Sequence, residues 1–162
     1  MELFAGKLAV LPLFRGLSPL QIAAISRCAE PVPYNPGAFI IEENATADGA
    51  ILIVSGKAIR VSGPGVSPPG ETVQEGSLLG ETAMLIETGY GSTIVARSPV
   101  ASVHIARDAL LALMLEDPSI AEILMGNLSA RLRLIADELR RVDELLGCPN
   151  VAADVPQPGL AA

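Results

Sequence analysis

Residues 76–96 read GSLLGETAMLIETGYGSTIVA. This pattern predicts a strand, a glycine turn, one short helical turn that opens on Glu81, a loop and a second strand. The first N–H groups of a helical turn have no partner within it, so they can bind an anion. Gly80 has no Cβ and lets a ligand approach the backbone, and the Glu81 carboxylate can accept hydrogen bonds from sugar hydroxyls. The stretch suits a phosphate bound next to a ribose, although Gly80 and Glu81 taken alone would equally fit a plain turn and a solvated carboxylate.

Short apolar segments on both sides of this stretch predict further strands. The turn sequence Asn35-Pro36-Gly37 precedes the first of them, and the segments cover residues 38–41, 51–54, 58–61, 93–96 and 100–105. Short strands separated by Gly, Pro and Asn are typical of a small all-β sandwich or barrel. Residues 62–70 are rich in Pro, Gly and Ser, and they predict an exposed hairpin loop.

Helices are predicted before and after the strands. Ser18, Pro19 and Gln21 form the pattern of a capping box with proline at the first helical position, and this helix ends before the strands begin. After the strands, Asp108 is predicted to cap a helix that runs through residue 116. The sequence Asp117-Pro118 then predicts the start of another helix.

The last predicted helix carries a regular apolar stripe. We expect an interruption near Gly126 and Asn127, because glycine in a helix interior costs about 1 kcal/mol relative to alanine. Beyond it, apolar residues recur at the a/d spacing of a coiled-coil seam. The stripe could pack on the chain's own β-roll or on a second copy, and the spacing favours a homodimer. The predicted dimer residues are Leu128, Leu132, Ile135, Leu139, Val142 and Leu146. Gly147 ends the helix, and residues 147–162 are expected to form a flexible tail.

Composition restricts the functional class. The chain of 162 residues suits one domain, and its 11 Lys and Arg against 18 Asp and Glu give a net charge of −7. Nucleic-acid binding requires clustered basic residues, so no direct nucleic-acid contact is expected. Cys28 and Cys148 lie far apart and indicate neither a metal site nor a redox pair. The sequence has no pattern of a signal peptide or a membrane span, so we expect a cytoplasmic protein that does not bind membranes.

The chain has one histidine, His104, which lies in the alternating segment 100–105. The alternation predicts that its side chain points away from the core as an ordinary surface residue. A metal-dependent cupin needs several histidines, and a nucleophilic triad needs a histidine that activates Ser or Cys. No catalytic residue and no metal ligand is therefore predicted, and we expect that the protein is not an enzyme.

The order of these elements resembles the cyclic nucleotide-binding domain family, which includes catabolite activator protein, the regulatory subunit of protein kinase A and cyclic-nucleotide-gated channels. The segments that carry the resemblance are LFRGLS at 13–18, YNPG at 34–37, IVSG at 53–56, GETAM at 80–84 with STIVA at 92–96, and IAR at 105–107. The resemblance implies an α+β fold in one domain, residues 1–146. It comprises a jelly-roll-like β-roll at about 33–106, an N-terminal helix, and two C-terminal helices at about 108–146, the last in a dimeric coiled coil.

The resemblance also implies a site for cAMP or cGMP as a regulatory ligand, with no other cofactor. Glu81 would accept a hydrogen bond from the ribose 2′-hydroxyl, Gly80 would allow the approach, and N–H groups around Thr82 and Ala83 would bind the cyclic phosphate. The family's phosphate-pairing arginine is replaced here by Tyr90, and a phenol supplies one neutral donor where a guanidinium supplies charge and two. The implied ligand-binding residues are Gly80, Glu81, Thr82, Ala83, Tyr90, Gly91 and Ser92.

Tyr90 leaves two functions open. The first is a stand-alone regulatory domain that binds a cyclic nucleotide and signals to an unknown protein partner by helix rearrangement. In that case Arg60, Arg97 or Arg131 could supply the missing cation from another element, and Ser92 could still form a hydrogen bond to the phosphate. The second is a degenerate, non-nucleotide-binding dimeric interaction or scaffold domain. A third function, a divergent Crp/Fnr-type transcription regulator without its own DNA-binding module, is disfavoured by the acidic charge.

Overall fold

The computed structural model describes residues 2–62 and 70–147. Four α-helices and ten β-strands form in this part of the chain. The helices are α1 (Glu2–Ala9), α2 (Pro19–Cys28), α3 (Arg107–Glu116) and α4 (Pro118–Leu146). The strands are β1 (Glu30–Tyr34), β2 (Phe39–Ile41), β3 (Thr46–Ala47), β4 (Gly49–Ser55), β5 (Ala58–Ser62), β6 (Glu71–Val73), β7 (Leu78–Leu79), β8 (Thr88–Gly89), β9 (Thr93–Ala96) and β10 (Val100–Ala106). Two 3₁₀ turns cover Pro12–Phe14 and Glu81–Met84.

The strands form two four-stranded antiparallel sheets and one short pair. One sheet has the order β1-β10-β4-β7, the other has β2-β9-β5-β6, and β3 pairs with β8. Inward-facing apolar residues of both four-stranded sheets form one buried cluster, so the sheets pack face to face as a β-roll. The α+β fold with a β-roll and flanking helices is therefore confirmed.

A second core lies between the roll and the helices. Along β4, Ala50 and Leu52 join this helix-side cluster, whereas Ile51 and Ile53 join the cluster inside the roll. Neighbouring residues of a strand point to opposite faces, so both faces of β4 are covered. The helix-side core includes residues from α1, α2, α3 and the first part of α4, and it fixes these helices against the sheet.

The five predicted strands all form, with ends that differ from the prediction by two residues or fewer. The sequence did not predict β1, which contains Pro31 and Pro33. β1 lies at the edge of its sheet, where a residue without an N–H is tolerated. The predicted hairpin loop falls largely on residues 63–69, outside the described residues, while β5 and β6 on either side of it pair antiparallel.

Two of the three predicted helix starts are confirmed. The Ser18 hydroxyl accepts from the Gln21 N–H at 3.3 Å, and the Gln21 side chain accepts from the Ser18 N–H at 2.9 Å. Asp117 caps α4 by accepting from the Ser119 N–H at 3.1 Å. The prediction for Asp108 was wrong, because α3 begins one residue earlier. Strand β10 runs directly into the helix, and the first helical N–H, that of residue 107, donates to a backbone carbonyl of residue 48 at 2.7 Å. The sequence also did not predict α1.

The predicted interruption of the last helix was wrong. α4 runs without a break from Pro118 to Leu146, through Gly126. The glycine is tolerated because tertiary contacts hold the helix on both sides of it. Leu124 and Leu128 are buried in the helix-side core. The Asn127 side-chain amide donates to two carbonyls of the segment around the first 3₁₀ turn, at 2.8 Å each.

We expect Gly126→Ala to stabilise the protein by about 0.5–1 kcal/mol, since alanine is the better helix former. Apart from the neighbouring backbone of α4 itself, a Cβ built at Gly126 meets no described atom within 4 Å. The measurement is the urea midpoint of unfolding. Ala130→Gly, at another exposed position of α4, is the matched control and should lose a similar amount. A lower midpoint for Gly126→Ala would show that residue 126 does need a non-helical backbone.

Candidate ligand-binding site

The predicted phosphate turn forms at the end of β7. Gly80 has φ +68°, in the left-handed region, and the 3₁₀ turn Glu81–Met84 follows it. A Cβ built at Gly80 would lie 2.6 Å from Cε1 of Tyr90 and 3.3 Å from the Gly49 carbonyl oxygen. Glycine is therefore required here for its backbone conformation and for the close approach of the Tyr90 ring.

The amides of this turn are partly used within it. The Ala83 N–H donates to the Gly80 carbonyl at 2.9 Å. The N–H of Thr82 donates to no acceptor in the described part of the chain. The resemblance assigns the amides of Thr82 and Ala83 to the phosphate. The Ala83 amide would have to break its hydrogen bond to Gly80 in order to bind a ligand, whereas the Thr82 amide would not.

Arg107 fixes the other end of the same turn. Its Nη1 donates to the carbonyls of Ala47 at 2.9 Å, Ala83 at 3.2 Å and Ile86 at 3.4 Å. One guanidinium group thus joins the start of α3, strand β3 and the 3₁₀ turn. Sequence reasoning placed Arg107 at the strand-to-helix junction but did not predict this role, because its three acceptors are backbone atoms that no side-chain pattern marks.

Tyr90 is directed into the roll. Its ring packs against the cluster between the sheets together with Tyr34, and its hydroxyl donates to the Gly49 carbonyl at 3.2 Å. Burial, the nearby Asp48 carboxylate and Tyr34 raise the pKa of Tyr90 to about 12. The phenol is therefore neutral, and its donor is already used by Gly49. Of the two residues that follow, Gly91 is exposed and Ser92 is buried.

Glu81 faces helix α4. Its Oε2 forms an ion pair with Nη1 of Arg131. The Glu81 side chain is 21% exposed and that of Arg131 is 50% exposed, so water screens the pair from the Arg131 side. The ion pair connects the residue predicted to bind ribose with the helix predicted to transmit the signal, 50 residues further along the chain.

A cavity of about 380 Å³ opens beside this ion pair. Its size lies within the range of about 300–1,000 Å³ that small-molecule sites occupy. Its charged lining residues are Glu81, Arg131, Arg60 and Glu71, and Leu79 contributes apolar surface. Of the seven residues that the resemblance implies for the ligand, Glu81 lines this cavity. The other six, Gly80, Thr82, Ala83, Tyr90, Gly91 and Ser92, are not in its lining.

The prediction that His104 is an ordinary surface residue was wrong. Its side chain is 18% exposed, and its Nε2 lies 3.1 Å from Oδ1 of Asp48. Strand β10 is covered on both faces, by the helices and by the second sheet, so alternation along it does not lead to solvent. Among residues 2–62 and 70–147, no three His, Cys, Asp or Glu side chains are grouped as a metal ion would require.

The predicted dimer residues fall into two groups. Leu128 is buried in the chain's own helix-side core, as the intramolecular interpretation of the stripe requires. Leu132, Ile135, Leu139, Val142 and Leu146 are 47–70% exposed. Every residue from 129 to 147 is exposed, so the second half of α4 extends from the domain. None of the helices formed by the described residues is both long and apolar enough to cross a membrane.

Known proteins of similar sequence are regulators. A cAMP-dependent protein kinase regulatory subunit from Aspergillus fumigatus is 29% identical over 113 residues, which cover 70% of this chain and 27% of that protein. A CRP-like cAMP-activated global transcriptional regulator from Mycobacterium tuberculosis is 30% identical over 131 residues, covering 78% of this chain and 57% of that protein. The chain thus spans about a quarter and just over half of the length of these relatives.

Solved structures share the fold. The N-terminal domain of a transcriptional regulator from Streptomyces coelicolor superposes with a TM-score of 0.72 at 22% identity, covering 82% of this chain and 94% of that one. The catabolite activator protein of Thermus thermophilus gives 0.64 at 25% identity, covering 82% and 63%. The sequence model of the cyclic nucleotide-binding domain matches residues 31–117, from β1 to the start of α4. The chain belongs to the cyclic nucleotide-binding domain family.

Proposed function

We propose that this domain is a regulatory module, not an enzyme, and that it binds cAMP or cGMP in the cavity beside Glu81. The observation that carries the proposal is the position of the Glu81 carboxylate, on the wall of a cavity of about 380 Å³ and in an ion pair with α4. An ionised carboxylate accepts hydrogen bonds from hydroxyl groups, as recognition of a ribose requires. Two relatives whose names refer to cAMP support the choice of ligand.

The ion pair suggests how binding would be transmitted. A ribose hydroxyl that donates to Glu81 competes with Arg131 for the same carboxylate oxygens. The first part of α4 is held by Leu124, Leu128 and Asn127, whereas residues 129–147 are exposed. A ligand shifts a conformational equilibrium only if it interacts differently with the two states. Exchange of Arg131 for a ribose hydroxyl at Glu81 provides that difference. Arg131 lies in the half of α4 that does not pack in the core.

We propose that the exposed part of α4 pairs with the same helix of a second copy. The five seam residues beyond Leu128 present an apolar face at a/d spacing that packs on nothing within the described chain. Pairing of two copies would cover this face and would connect the two cavities through their Arg131 residues. A separate protein partner would then recognise the orientation of the paired helices.

A scaffold function without nucleotide remains the second candidate. It is favoured by Tyr90, whose hydroxyl is bonded to Gly49, and by Ala83, whose amide is bonded within the turn. In this alternative the turn at residues 80–84 has only a structural role and the cavity holds water. The exposed part of α4 alone would then bind the partner.

Calorimetric titration with cAMP and with cGMP separates the two candidates. We expect saturable binding of at least one, and Glu81→Ala should weaken it by about fivefold or more, because a hydrogen bond to a charged group contributes at least about 1 kcal/mol. Glu87→Ala is the matched control, since Glu87 is exposed, close in sequence and absent from the cavity lining.

Absence of heat at millimolar concentrations of both nucleotides, with no competition against a fluorescent analogue, would leave the scaffold function. Equal affinity of Glu81→Ala and the unmodified protein would show that the ligand binds elsewhere. Arg131→Ala provides an internal check. It removes the competitor for Glu81, so it should retain or improve the affinity for the nucleotide. If the ion pair only stabilises the site, Arg131→Ala and Glu81→Ala should both bind the nucleotide more weakly.

A further inference from the structure

Arg60 lies on the inner face of its sheet. Along β5, Ala58 belongs to the buried cluster between the sheets, and Arg60 is the next residue on the same face because side chains alternate. Arg60 pairs with Glu71 of β6 and with Ile94 of β9 across the sheet. The Arg60 side chain, 34% exposed, therefore lies between the apolar Ile94 and the acidic Glu71, and it lines the same cavity as Glu81.

Hydrogen bonding within the chain accounts for only one edge of this guanidinium. Nη1 of Arg60 lies 3.3 Å from Oε2 of Glu71, whose own side chain is 68% exposed. Nε is buried and has no hydrogen-bond partner among the described residues. Buried donors in native proteins almost always have an acceptor, so the orphan Nε marks a hydrogen bond that Arg60 does not make within the chain in this conformation. The edge that Nε forms with Nη2 is the fork that binds an oxyanion through two parallel bonds.

We infer that Arg60 binds the phosphate of the nucleotide and supplies from β5 the cation that is missing at Tyr90. This inference rests on the proposed function. In a 3′,5′-cyclic nucleotide the phosphate is closed onto the ribose, so the ribose acceptor and the phosphate-binding cation must line one cavity. Glu81 and Arg60 do so, whereas Tyr90 and the amide of Ala83 are not in its lining. The phosphate would then contact Arg60 of β5 while the ribose contacts Glu81.

The charges around the cavity support this assignment. Two arginines and two glutamates line it. Arg131 pairs with Glu81, which the ribose would engage, and Arg60 pairs with the exposed Glu71. Water screens the Glu71 pair, so a phosphate that binds the Arg60 guanidinium displaces only a weak contact. Arg97, the third arginine that could have replaced the missing one, is exposed and is not in the lining.

The test compares cAMP with adenosine, which lacks the phosphate, by calorimetry. Arg60→Gln should weaken cAMP binding by at least tenfold and leave adenosine binding within about twofold, because it removes a charge-assisted contact to the phosphate alone. Arg97→Gln is the matched control and should change neither. Arg60→Lys keeps the charge without the fork, so it should lose part of the affinity for cAMP. Arg60→Lys also serves as the test variant if circular dichroism shows that Arg60→Gln does not fold.

Glu71→Gln distinguishes binding from a structural role. If Arg60 binds phosphate, this variant should bind cAMP as tightly as the unmodified protein or more tightly, because a competing carboxylate has been removed. If the only role of Arg60 is its ion pair with Glu71, Arg60→Gln and Glu71→Gln should change the affinity for cAMP by the same amount. That result would overturn the inference. Undiminished cAMP affinity of Arg60→Gln would also overturn it and leave the proposed function intact. No binding of cAMP or cGMP to the unmodified protein would overturn both.

Discussion

Leu139→Glu should convert a dimer into a monomer. Leu139 lies at the middle of the exposed seam of α4 and is 61% exposed in the single chain. In a paired seam the two copies of this residue would face each other, so the variant would place two like charges in an apolar contact. Burial of an unpartnered charge costs at least about 2 kcal/mol per side chain, which corresponds to about a thousandfold weaker dimer for two.

Sedimentation equilibrium measures this change as a fall from two chain masses to one at micromolar concentration. Leu134→Glu is the matched control. Leu134 is 67% exposed on the same helix, but it lies at a heptad position on the far side from the seam. The same substitution there should leave the dimer intact. A single chain mass for the unmodified protein would refute the pairing, and a dimer that survives Leu139→Glu would place the interface on another face.

Because Leu139 is exposed in the single chain, its substitution should change the dimer without changing the stability of the monomer. Substitution of a residue that packs on nothing in its own chain should leave the thermal unfolding of the monomer unchanged. Leu128 provides the contrast, since it belongs to the same a/d series but is 6% exposed in the helix-side core. Leu128→Glu should unfold the domain itself. The two leucines separate the two interpretations of the stripe that the sequence left open.

Local chemistry made much of the fold predictable. The capping box at Ser18 and the cap at Asp117 are decided by atoms within three residues of each other, so the sequence reveals them. Strand β9 was predicted with its observed ends, because its apolar and β-branched residues lie between turn residues. The helical turn after Gly80 follows from the same local rules.

Contacts between distant elements were not predictable in the same way. The ion pair between Glu81 and Arg131 spans 50 residues, and the surroundings of Arg60 depend on the pairing of β5 with β6 and β9. The predicted interruption at Gly126 was wrong for this reason, since helix propensity is a weak contribution that tertiary contacts such as those of Asn127 override. Sequence identified the residue types of the site but not which of them share a cavity.

Gly80→Ala should destabilise the domain by about 3 kcal/mol. An L-residue in the left-handed region costs about 1–2 kcal/mol. The new Cβ would also lie 2.6 Å from Cε1 of Tyr90, whose ring packs against the cluster between the sheets. The urea midpoint reports the loss. Gly91→Ala is the matched control in the same loop, because a Cβ there meets no described atom within 4 Å, and it should change stability by less than about 0.5 kcal/mol.

A double variant separates the two causes. Tyr90→Ala removes the ring that the Cβ would strike but leaves the backbone strain at position 80. Gly80→Ala combined with Tyr90→Ala should therefore be more stable than the sum of the single losses by about 1 kcal/mol or more. Strict additivity would mean that the ring and the turn do not touch in solution. Non-additive losses would support a structural role for Tyr90, in which its ring packs against the turn. The cation for the ligand would then come from a residue other than residue 90.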